Sequence, residues 1–248
     1  YLSLRSNSSV NITDLEMVNG HATAFGALTD TPAYKYYRVF AVLNTEPDFR
    51  RYPFDRHTLP IIVEPKTGTE REIVLVIDNN STGLDDEANL PGWEIGKSSA
   101  RVVSHAYDQE EVPYSRAVFT YEVVRDSFST FLKFFLPVML IIIVSLTSLL
   151  MKVTSRLGLN ASMFLAAVLI HWRIADAMPP VAYATFLDYF MILTYATLVM
   201  VLVSGILILF FSEAKDTVRV EAVNRWSIRV IPALSIALYA ALFLTLLA

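Results

Sequence analysis

The sequence runs to 248 residues, 54% of them hydrophobic, with a mean hydropathy of +0.45, which is too apolar for a single soluble domain. Its formal net charge of −4, with no basic cluster, argues against nucleic acid as a partner. Cysteine is absent, which excludes disulfides and thiolate chemistry.

The apolar excess is uneven. Residues 1–126 mix charged and apolar side chains as a globular domain does, and residues 127–248 are dominated by apolar runs. The chain therefore reads as an α+β membrane protein with a β-rich part followed by a helical one. Residue 1 is a tyrosine with no signal-peptide pattern, and a native region upstream of it is expected.

In the first part, short apolar runs at 36–43, 59–64, 73–77, 100–106 and 117–125 read as strands. The last is the clearest, with Phe119, Tyr121 and Val123 alternating with Val118, Thr120 and Glu122. Pro65-Lys66-Thr67-Gly68, residues 79–83 and Pro91-Gly92 mark turns, and Asn19-Gly20 reads as a hairpin turn between short strands. About six or seven strands without a long amphipathic helix predict an antiparallel β-sandwich, small for a complete one. Two acidic runs stand out, Asp85-Asp86-Glu87 in a long loop and 108–111 (DQEE) at a turn. Carboxylates at this density suit Ca2+ as a modulator; a solvated loop is the plainer reading.

In the second part, four helices are expected at 128–151, 155–176, 183–211 and 225–247, each long enough to span a bilayer. Pro137 lies inside the first, which membrane helices tolerate. Met178-Pro179-Pro180 ends the second, because proline cannot continue a helix. Residues 212–224 form a polar link. Basic residues set the orientation: Lys152 and Arg156 follow the first helix, and Lys215, Arg219 and Arg225 follow the third. Both links should be cytoplasmic, with the β-domain and the C-terminus outside, in a multi-pass plasma (inner) membrane protein.

The second helix carries the pattern of most interest. Gly158, Ser162, Leu165, Leu169, Trp172 and Asp176 recur at spacings of four and three and share one face. They run from small and polar, through branched apolar, to a bulky aromatic and an acid. Repeated around an axis, they would wall a pore in which Leu165 and Leu169, or Trp172 further out, form a hydrophobic constriction that gates by dewetting. The competing reading is an ordinary packed bundle helix. His171 lies off this stripe and reads as an interhelical hydrogen bonder or a pH-responsive site. The other histidines, His21, His57 and His105, are scattered, and no catalytic motif is present, so an enzyme is disfavoured.

Residues 48–59 read DFRRYPFDRHTL. Their core, Tyr52-Pro53-Phe54-Asp55, resembles the signature loop of the pentameric ligand-gated ion channels, the Cys-loop receptor superfamily. Thr45 and Leu59 stand where animal members carry the two cysteines, as in prokaryotic relatives. Leu90-Pro91-Gly92-Trp93-Glu94-Ile95 resembles the later Gly-Trp segment, and Arg125 stands where the family has an arginine before its first membrane helix. The resemblance covers about 36–248.

The resemblance implies a homopentamer opened by an unidentified small ligand or by protons. The gating signal would pass through Pro53, Phe54, Asp55, Arg125 and the turn at Pro179, with Asp55 and Arg125 paired. The alternative for that pair is a surface turn with two solvated charges. Tyr107 and Tyr114 flank the turn matching the agonist-capping loop and are candidate ligand contacts. At the cytoplasmic mouth, Thr154-Ser155-Arg156 shows neither the glutamate of cation-selective members nor the Pro-Ala of anion-selective ones. An Asp176 ring at the outer mouth leans to cation conduction. The alternative function is a non-conducting extracellular sensor with a four-helix oligomeric membrane anchor.

Overall fold

The computed structural model describes residues 1–6, 11–108, 112–176 and 178–246. The chain divides into two compact units: Tyr1–Asp48 with Arg56–Val124, and Phe49–Asp55 with Arg125–Ala248.

Among the described residues the first unit has seven strands: β1 (Leu2–Arg5), β2 (Leu15–Met17), β3 (Gly20–Asp30), β4 (Tyr34–Leu43), β5 (Arg56–Pro65), β6 (Trp93–His105) and β7 (Tyr114–Arg125). They form a three-stranded sheet ordered β1-β4-β3 and a four-stranded sheet ordered β2-β5-β7-β6. The antiparallel register of β5 and β7 sets Leu59 opposite Tyr121, Ile61 opposite Phe119 and Val63 opposite Ala117. Side chains at every second position then reach one face. Buried Ile12, Leu15, Tyr37 and Val63, with Leu4, Val39 and Phe119 packed against them, close a core supplied by both sheets.

Two expectations for this unit are corrected. Residues 73–77 form no strand and pair with none. Leu75 enters the core and its N–H donates to Ser115 Oγ at 2.9 Å, whereas Val74 and Val76 are exposed. Alternation is genuine there, but an alternating segment can cap a core without joining a ladder. Nor is Asn19-Gly20 a hairpin turn, because β2 and β3 belong to different sheets. The Asn19 side chain donates to Asn44 O and Pro60 O and accepts from Ile62 N, pinning the crossing between sheets. A Cβ at Gly20 would stand 2.1 Å from Val42 O, so only glycine fits this close approach.

Among its described residues the second unit holds four helices long and apolar enough to cross a membrane: α1 (Phe128–Leu150), α2 (Val153–Ala175), α3 (Phe186–Glu213) and α4 (Thr217–Leu244). The protein is a multi-pass membrane protein of α+β class. In α1, Phe131–Phe135 widens to π-helical turns just ahead of Pro137, and Leu136 N–H reaches Phe131 O. The widened turn lies where proline removes a backbone donor. Thr185 and Asp188 cap the start of α3 reciprocally. Helix α4 begins at Thr217 rather than at 225, so most of the expected polar link is helical. Asp216 accepts from Arg219 N at 3.0 Å and caps this end. An apolar window marks where a helix enters lipid, not where it begins. The residue expected to close α4, at 247, lies outside the described residues.

The core of this unit is largely aromatic. Phe135 is fully buried, with Phe54, Phe131, Phe186, Phe190 and Phe243 around it at ring separations from 4.8 to 6.2 Å.

Candidate functional site

The loop 49–55 belongs with the helices, although it precedes β5 in the chain. Two tight turns shape it, Tyr52 N donating to Phe49 O at 2.9 Å and Phe54 N to Arg51 O at 2.7 Å, about a cis Tyr52–Pro53 bond. Phe54 stacks on Phe135 at 5.4 Å and meets the edge of Phe186 at 5.8 Å. Tyr52 is buried against Phe134, and burial pushes its hydroxyl above the ordinary tyrosine range. Phe186 N donates to Arg50 O, and Phe49 N donates to Tyr183 Oη, so the segment leading into α3 is tied to the same loop.

Asp55 and Arg125 close this arrangement. Arg125 Nε donates to Asp55 Oδ1 at 2.6 Å and Nη2 to Oδ2 at 2.9 Å, a two-pronged pair with the carboxylate fully buried. The guanidinium also lies 4.9 Å from the Tyr52 ring centre. The charges are therefore not solvated. Pro179 is exposed, and its neighbour Met178 packs against the aromatic core.

Helix α2 has two unlike faces. Gly158, Ser162, Leu165, Leu169, Trp172 and Asp176 are all exposed, Leu165 at 60%, Leu169 at 56% and Trp172 at 67%. On the opposite face, Arg156, Asn160, Ala167 and Ile174 are buried against the other helices. A Cβ at Gly158 would meet nothing within 4 Å, and Ser162 Oγ donates to Gly158 O at 3.1 Å. The stripe is thus not packed core of this chain. His171, off the stripe, bonds through Nδ1 with Tyr195 Oη at 2.9 Å, and its Nε2 lies 3.9 Å from Asp188 Oδ1.

At the base of α2 the structure holds a polar network. Ser145 Oγ donates to Asn160 Oδ1, and Asn160 Nδ2 donates to Ser148 Oγ at 2.6 Å and Arg156 O at 2.8 Å. Arg156 points inward rather than standing at a mouth, and Nη2 reaches Leu149 O and Asn224 Oδ1. Its sequence traces are the four-residue spacing of Arg156 and Asn160 and the three-residue spacing of Ser145 and Ser148.

In the β unit, Tyr107 and Tyr114 meet edge to face at 5.8 Å, and His105 meets Tyr107 at 4.8 Å. Glu64, buried and carrying no motif, organises them: Tyr107 Oη donates to Oε2 at 2.7 Å and Arg116 Nε to Oε1 at 2.5 Å. The hydrogen bond to Glu64, aided by burial, holds the Tyr107 hydroxyl above its ordinary range. Tyr107→Phe is expected to lose about 1 kcal/mol of stability, read as a lowered Tm of the full chain; an unchanged Tm would contradict the bond.

Asp85, Asp86 and Glu87 are not brought together. Asp85 Oδ1 accepts from Glu87 N in its own turn, and among the described residues no three His, Cys, Asp or Glu side chains gather as a metal set. Of the second acidic run, residues 109–111 lie outside the described residues.

No protein-family profile matches the chain. The chain is 28% identical over 149 residues to a proton-gated ion channel of Gloeobacter violaceus, a match covering 60% of the chain. That match spans 42% of the relative's own length. It bears out the resemblance to pentameric ligand-gated ion channels read from the sequence.

Proposed function

We propose that the chain is a subunit of a homopentameric ligand-gated ion channel of the plasma membrane, with α2 from each copy lining the pore. The observation that carries this is the exposed face of α2. It mixes Gly158, Ser162 and Asp176 with a leucine and tryptophan band, while the other face is packed in the bundle. A face turned only to lipid would have no use for a serine and an aspartate at its two ends. Helix α4, by contrast, exposes Trp226, Leu234, Ile236 and Leu244, which suits lipid. The name of the relative supports the same reading. Phe40 and Val42, two residues apart on β4 and both exposed, give an apolar strip on one sheet face suited to contact with a second copy.

In this reading the β unit lies outside and takes the stimulus. Pro53, Phe54, Asp55 and Arg125 pass the change to α1 and to the turn at Pro179, and the pore helices tilt. Asp176 concentrates cations at the outer mouth. The absence of native cysteine permits a clean test. Ser162→Cys and Ala167→Cys channels are reconstituted in planar bilayers and exposed to a charged, water-soluble thiol reagent. Current block at Ser162→Cys with none at Ala167→Cys is expected. Currents indifferent to reagent at both positions, or no current at all from the unmodified chain, would refute the reading.

A further inference from the structure

Arg156 brings a charge into the base of the helical unit, where its neighbours Ser145, Ser148 and Asn160 are buried with it. The residue is 1% exposed. Nη2 donates to Leu149 O at 2.7 Å and to Asn224 Oδ1 at 3.0 Å, both neutral acceptors. Nε and Nη1 are buried with no hydrogen-bond partner among the described residues. Arg125, in the same unit, has a carboxylate on two prongs. Neutral acceptors satisfy N–H groups but leave the charge, and a buried ion without a counter-charge is strongly disfavoured. The carbonyl end of α1, where Leu149 sits, supplies only a fraction of a charge.

The acids at this end of the helices are turned elsewhere. Glu213 and Glu221 are exposed, Asp216 stands 3.2 Å from Arg219 Nε, and Glu221 stands 4.0 Å from Arg225 Nη2. Exposed Lys152, Arg219 and Arg225 at the same end raise the local concentration of anions. Asn224 is half-buried, so it stands between Arg156 and the outside of the bundle. Its Oδ1 meets Nη2, and Nδ2 on the same amide is a further donor beside the guanidinium. Packing here is close: a Cβ at Gly205 of α3 would stand 2.8 Å from Leu157 Cδ2 and 3.7 Å from Arg156 Cδ.

We infer that Arg156 forms a binding site for a small monovalent anion such as chloride, held on Nε and Nη1 with Asn224 Nδ2 on its outer side. Charge-assisted N–H bonds to an anion are the strong ones, and the ion neutralises the guanidinium where no carboxylate does. Close packing of α2 on α3 favours a monatomic ion over a bulky one. The bound ion steadies a side chain that already joins the base of α2 to the end of α1 through Leu149 and to α4 through Asn224. The site needs the folded helical unit and not ion conduction, so it stands or falls apart from the channel reading.

The full chain is placed in nanodiscs of phosphatidylcholine and melted in sodium chloride or in sodium gluconate, whose anion is too large for the site. Both salts are used at about 150 mM, so that screening is equal. Chloride should raise the Tm by about 3 °C or more, and the rise should saturate with concentration. Arg156→Gln should abolish the difference between the salts. In gluconate it should melt no lower than the unmodified chain, because the uncompensated charge is gone; an arginine needed only for packing would be missed equally in both salts, which would overturn the site. Asn224→Leu should weaken the chloride response, and Arg219→Gln, which removes an exposed charge, should keep it. If Arg156→Gln does not fold, crystals of the unmodified chain grown in bromide decide: anomalous density within about 3.5 Å of Nε or Nη1 supports the site, and none there overturns it. A chloride response that survives Arg156→Gln puts the ion elsewhere and also overturns it. Equal melting of the unmodified chain in the two salts does the same, and a Tm then lowered by Glu221→Gln would make that carboxylate the counter-charge instead.

Discussion

Arg125→Gln is expected to destabilise the helical unit by about 3–5 kcal/mol, because it leaves the Asp55 carboxylate buried without its counter-charge. Asp55 is 1% exposed and its oxygens accept from Nε and Nη2 of Arg125. Water cannot take over those bonds without opening the loop. The guanidinium also faces the Tyr52 ring, so the substitution loosens an aromatic contact as well. Asp55→Asn combined with Arg125→Gln should be less damaging than the sum of the single changes, since the two amides can bond to each other. A double-mutant cycle on Tm in detergent reads this coupling. Additive effects, or an Arg125→Gln protein that melts with the unmodified one, would mean that the pair holds nothing in place. If the loop also carries the gating signal, Arg125→Lys should keep more stability than response, since a single ammonium cannot reproduce the fork.

Leu165→Ala should shift the proposed pore toward the open state by about tenfold or more. Each packed methylene lost from a closed constriction is worth about 0.8 kcal/mol, repeated in every copy around the axis. Leu165 and Leu169 touch little in their own chain, at 60% and 56% exposure, so the change costs the monomer's fold almost nothing. That separation makes the test informative, because altered gating cannot be put down to misfolding. Trp172→Ala should likewise widen the outer end. Single-channel recording of both variants checks the assignment. Unchanged opening at Leu165 and Trp172 together would move the gate elsewhere, and reversal potentials in a salt gradient with Asp176→Asn would test the acidic ring separately.

The helices were legible in the sequence because a membrane span is a local property: about twenty apolar residues suffice, whatever they pack against. The exposed stripe of α2 was legible for a related reason, since helical periodicity assigns residues to faces. Periodicity cannot say which face is buried, and the stripe would have read the same as packed core. The start of α4 was misplaced because Thr217–Asn224 carries Arg219 and Glu221 among apolar residues yet is helical, capped by Asp216. The run at 73–77 had the alternation of a strand and lacked only a neighbour to pair with, and no window of sequence carries that information.

What the sequence determined alone, then, is the class of each segment: strands with one apolar face, four spans, and a pore-like gradation from Gly158 to Asp176. Tertiary structure decided every role that depends on a partner far along the chain. Asp55 meets Arg125, Glu64 meets Tyr107 and Arg116, and Arg156 reaches Asn224. The physical reason is range. Hydropathy and periodicity are sums over neighbouring residues. The state of a buried charge is set instead by whichever group the folded chain brings within about 3 Å of it, and for Nε and Nη1 of Arg156 the chain itself brings none among the described residues.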